Sequence, residues 1–89
     1  MAKKRRKLNK DFERKIYSSK KNVELVLAKI YDIDDENIQK EYMSAFNEVV
    51  NLYDDLRASY EEHGFNDNSE QLLTNYKNAF NLFETEFEI

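Results

Sequence analysis

Apolar residues recur at helical intervals along almost the whole chain. Phe12, Ile16, Val23, Val26 and Ile30 are spaced by three, four or seven positions, which places them along one side of an α-helix. Ser19 fills the vacant place in that stripe. The spacing predicts a first helix over residues 10–31, with Ser18 and Ser19 as the place where it would fray, because short hydroxyl side chains compete for backbone hydrogen bonds.

Ile33-Asp34-Asp35-Glu36 then reads as an end followed by a restart. Asp34 is the expected N-cap, with Ile33 and Ile38 on either side of it as a hydrophobic staple. Beyond it Ile38, Tyr42, Ala45, Val49, Leu52 and Leu56 keep alternating gaps of four and three, and Phe46, Tyr53 and Tyr60 run beside them at steps of seven. So wide an apolar face is best buried by two neighbours, and this second helix, over residues 35–63, is expected at the centre of the fold. Gly64 suits a left-handed Schellman turn at its end, with Phe65 folding back onto Tyr60.

The stretch 66–69 is turn chemistry and contains two overlapping capping-box spacings, Asp67 with Glu70 and Asn68 with Gln71. A third helix is expected over residues 69–86, with Leu73, Tyr76, Phe80, Phe83 and Phe87 as its stripe. Short connections between these segments predict an all-α, antiparallel three-helix bundle with a long central helix. Residues 11–89 would form that single domain, preceded by a flexible basic arm at 1–10.

Composition agrees with this reading. Proline is absent and Gly64 is the one glycine, which favours long helices over turns and strands, while 13% aromatic residues argue for an ordered core. Eighty-nine residues give only a marginal core, so partner binding or a homodimer is expected. Without cysteine there is neither a disulfide nor a thiolate metal site, which favours a reducing, cytoplasmic setting. Residues 1–8 resemble the charged front of a signal peptide, yet Asn9, Lys10, Asp11 and Glu13 stand where an apolar stretch would follow, so no secretion signal is expected. The longest apolar run, residues 25–28, is far below the roughly 18 residues of a membrane span.

The net charge of −4 conceals two electrically different parts. Residues 1–21 carry ten of the fourteen basic side chains and two acids, giving +8, and residues 22–89 carry four bases and sixteen acids, giving −12. Lys3, Lys4, Arg5, Arg6 and Lys7 form the sharpest local feature, and Lys10, Arg14 and Lys15 extend it along the first helix. Such a string can contact phosphates or an acidic partner, and equally reads as a solvated tail or a nuclear-import pattern. Sixteen carboxylates on the body would repel a duplex, so nucleic-acid contact is expected only at this end. Asp54, Asp55, Glu61 and Glu62 could meet a basic partner, against the simpler reading of a solvated helix exterior.

Catalytic and metal chemistry find little support. His63 is the only histidine and suits a helix C-terminus, where a cation complements the dipole. Tyr60 stands three before it, so no Glu-x-x-His di-iron motif exists, and the calcium-loop spacing begun by Asp32, Asp34 and Glu36 fails at Asn37 and Met43. No nucleophile–histidine grouping or glycine-rich phosphate loop can be assembled, so no cofactor is expected. The sequence therefore predicts a small non-enzymatic protein binder, of the adaptor or inhibitor kind. Its bias to Lys, Asn, Glu, Ile and Tyr suits an AT-rich bacterial, phage or mobile-element source. A nucleic-acid accessory protein is the alternative. Bacteriocin immunity proteins are similar in size and helical architecture, although no motif of this chain carries that likeness.

Overall fold

A computed structural model describes residues 7–88, and their regular structure is entirely α-helical: α1 (Lys10–Tyr31), α2 (Glu36–His63) and α3 (Ser69–Phe87). α2 is the longest, at 28 residues or about 42 Å. α1 is continuous through Ser18 and Ser19. The Ser19 hydroxyl donates to the Lys15 carbonyl at 2.8 Å within the helix, and Ser19 is buried at the stripe position its spacing assigned to it.

Phe12, Val23, Val26 and Ile30 of α1, Phe46, Val49, Tyr53 and Leu56 of α2, and Leu73, Tyr76 and Phe83 of α3 form one core. Phe80 and Phe87 pack against it half-buried. α2 contacts both other helices, whereas α1 and α3 touch each other sparingly. Five ring pairs join α2 to α3, among them Phe46 with Phe83 at 4.8 Å and Tyr42 with Phe87 at 4.7 Å. The radius of gyration, 15.3 Å, exceeds the ~12 Å of a typical domain this size, because the helices are long for the chain.

The helix ends are tied by side chains, some of them from neighbouring elements. Asn9 caps α1 by accepting from the Phe12 amide at 3.0 Å. Gln39 of α2 donates to the Ile30 and Tyr31 carbonyls, both at 3.2 Å, and so satisfies acceptors at the end of α1. The Tyr42 phenol donates to the Phe87 carbonyl at 3.3 Å in the same way for α3.

Three local expectations are corrected. Asp35, not Asp34, caps α2, accepting from Asn37 and Ile38, so Ile33 and Ile38 fall out of staple register and Ile38 stays 43% exposed. α1 closes with the Ile33 amide donating to Ile30, which leaves Asp34 as the connecting residue. Neither capping box forms at α3. Instead Asn66 and Ser69 build the turn, through the Asn66 amide to Ser69 Oγ at 2.9 Å and the Asn68 amide to Asn66 Oδ1 at 2.8 Å. Gly64 has the positive φ expected of it (73°), but its ψ of −163° is not that of a Schellman turn. The Phe65 amide donates to the Lys7 carbonyl at 2.6 Å, and the Phe65 ring packs edge-on against Phe12 at 5.1 Å.

Candidate binding groove

Because α1 and α3 both lean on α2 without closing on each other, a groove of about 530 Å³ remains between them. Val26 and Tyr76, both buried, and half-buried Phe80 form its apolar floor, and Leu25, 61% exposed, stands at its side. Ser18, Asn22 and Asn81 supply short polar side chains. Arg14, Lys15, Lys29 and Lys77 line it with a single carboxylate, Glu84.

Tyr76 is the main polar tie across the groove's base. Its phenol donates to the Ser19 carbonyl at 3.2 Å, linking α3 to α1. Burial pushes this phenol up to about 12, partly offset by the Ser19 side chain beside it. Burial raises Tyr53 as well, against the lowering effect of the Arg57 guanidinium.

The sequence-predicted site residues separate into groups. Lys3, Lys4, Arg5 and Arg6 lie outside the described residues. Lys7 is exposed, but its backbone is held at the α2–α3 turn by Phe65. The Asn9 amide donates to the Tyr60 phenol at 3.0 Å, and that phenol in turn donates to the Glu13 carboxylate. Lys10, Arg14 and Lys15 are exposed on α1, and Arg14 makes a solvated pair with Asp11 at 3.7 Å, a geometry that contributes little. Only Arg14 and Lys15 of that basic set reach the groove. The structure adds Lys29 and Lys77 to them, which sequence reasoning did not single out because their proximity depends on how α1 and α3 are aligned.

The acidic candidates are all exposed on α2. Asp54 and Glu61 share Arg57, at 3.9 and 3.5 Å, so much of their charge is locally balanced. Asp55 and Glu62, seven residues apart, lie along a common side of the helix. His63 stands at the exposed end of α2, 3.9 Å from Glu62. Among the described residues no group of three or more His, Cys, Asp or Glu side chains could hold a metal ion, and no helix is long and apolar enough to cross a membrane. No family model, curated protein or solved structure matches the chain.

Proposed function

We propose that this chain is a non-enzymatic protein-binding module, an antiparallel three-helix bundle with α2 at its centre, which engages its partner through the α1–α3 groove. The antiparallel arrangement is supported by contacts between opposite ends: the start of α1 meets the end of α2 through Phe12 and Tyr60, and the start of α2 meets the end of α3 through Tyr42 and Phe87. The observation that carries the functional reading is the open groove, with exposed Leu25 beside a floor of Val26, Tyr76 and Phe80. Apolar surface left in such a concave site favours a binding partner. His63 does not line it.

The test is a photo-cross-linking amino acid placed at Asn22 in the groove, and separately at exposed Asn47 on α2, in cells that naturally carry the gene. Protein adducts at Asn22 and not at Asn47 are expected. The absence of any protein adduct at Asn22 refutes the reading.

A second reading, a nucleic-acid accessory protein, draws support from the exposure of Lys10, Arg14 and Lys15 on one stretch of α1. It requires binding that weakens with salt at a slope of about −0.9 per phosphate contacted on a duplex. Duplex binding that is absent at low salt, or insensitive to added salt, removes it.

A further inference from the structure

We infer that the occupant of the α1–α3 groove is an acidic, amphipathic helix of a partner protein, laid between the two as a fourth rod. This rests on the protein-binding reading above and specifies the chemistry of the partner.

The groove is shaped for a rod. Its α1 wall is made by residues at positions 14, 18, 22, 25 and 29, steps of three and four that define one continuous helical face. That face spans 16 residues, about 22 Å from first to last, or roughly four turns of an occupant helix. An extended peptide would gain no main-chain hydrogen bonds here, because the walls are helices whose backbone groups are already paired within the helix. An occupant helix instead needs apolar side chains along one face, to cover exposed Leu25 and half-buried Phe80.

The charge selects its sign. Arg14, Lys15, Lys29 and Lys77 face Glu84 in the groove, and with Asp11 3.7 Å from Arg14 they leave a local +2 on a chain whose net charge is −4. Among the described residues Lys15, Lys29 and Lys77 have no carboxylate within ion-pair reach, so their charge faces the groove's occupant and solvent. Glutamate or aspartate flanking the apolar face of a partner helix would complement them. A second copy docking groove to groove would set +2 against +2, which disfavours a symmetric dimer through this face. A nucleic-acid backbone could satisfy the cations but would leave Leu25 and Phe80 uncovered and would face the −12 carried by residues 22–89.

The test uses fluorescence anisotropy with three labelled probes at 50 mM salt. One is a 16-residue helical peptide with leucine at heptad positions a and d and glutamate at e and g; the second has lysine in place of every glutamate; the third is a 16-nucleotide single strand. The glutamate peptide is expected to bind about tenfold or more tightly than either other probe. K15E/K77E, both at exposed positions, should lose about tenfold or more for that peptide while keeping the wild-type circular dichroism spectrum. No binding of the glutamate peptide at 1 mM, equal binding of the two peptides, tighter binding of the oligonucleotide, or an unchanged K15E/K77E overturns the inference. A cross-linked adduct at Asn22 with twice the mass of the chain would identify a second copy and overturn it too. Protein adducts at Asn22 without charge preference among the peptides would sink this inference and leave the protein-binding reading standing, whereas no adduct sinks both.

Discussion

Tyr76→Phe removes one oxygen from the base of the groove and should have an effect that changes with pH. The phenol lies on a side chain only 2% exposed and donates to Ser19 at 3.2 Å. A hydrogen bond of this kind contributes about 1 kcal/mol net at neutral pH, equivalent to roughly 4–8 °C in melting temperature for a domain of this size. The folded phenol titrates at about 12 rather than at the ordinary 10.0. Since the folded value is raised, the unfolded chain releases this proton first. The linked stability is therefore fully present below pH 10, declines as pH rises, and is lost above about pH 12. At pH 11 the wild type should have lost about 1.4 kcal/mol through this residue, and phenylalanine has no proton to lose. Urea melts followed at 222 nm should then show Tyr76→Phe less stable by about 1 kcal/mol at pH 7.5, with that gap closed or slightly reversed at pH 11. A gap of the same size at both pH values would refute the burial argument, and no gap at pH 7.5 would refute the hydrogen bond as a stabilising tie.

Phe46→Ala deletes a fully buried ring packed on Phe80 and Phe83 and should cost about 3–5 kcal/mol, against a total of ~4–13 kcal/mol for a chain of this length. A thermal melt showing a loss under about 1 kcal/mol would contradict the assigned core. Gly64→Ala places a Cβ on a buried residue whose φ of 73° and ψ of −163° suit glycine alone, and should cost about 1–3 kcal/mol. An unchanged melting temperature would argue against that turn. Asp35→Ala should lose about 1 kcal/mol through the α2 cap, while Asp34→Ala should be close to neutral; equal losses would overturn the capping assignment.

The helices were legible in the sequence because each has a stripe long enough for its period to stand out. Even Ser19, a polar residue, was placed correctly by the gap it fills between Ile16 and Val23. Boundaries were harder where two residues could serve equally. Asp34 and Asp35 are both competent caps, and the choice follows from where α1 finishes its last turn, through the Ile33 amide on Ile30. The Asn9 cap has a local signature, an asparagine three residues before Phe12, but it stands inside a basic string between Lys7 and Lys10. The Phe65–Lys7 hydrogen bond links residues far apart in the chain, and no local pattern announces it. The groove was hidden for the same reason. Lys29 and Lys77 have nothing in common along the sequence, and they face one cavity only because α1 and α3 settle on α2 side by side. Leu25 stands off the apolar stripe and is 61% exposed beside the groove.

The unequal stitching of the helices bears on how occupancy would be felt by the whole molecule. Among the described residues five ring pairs fasten α2 to α3, while Phe12 with Tyr60 joins α1 to α2. α1 is thus held by fewer ring contacts, and a partial opening that began there would leave α2 and α3 packed on each other. A guest seated against α1 and α3 together penalises that excursion, since lifting α1 would forfeit half of its contacts. The protein's resistance to local opening would then report its state of association, rising with the concentration of whatever it holds.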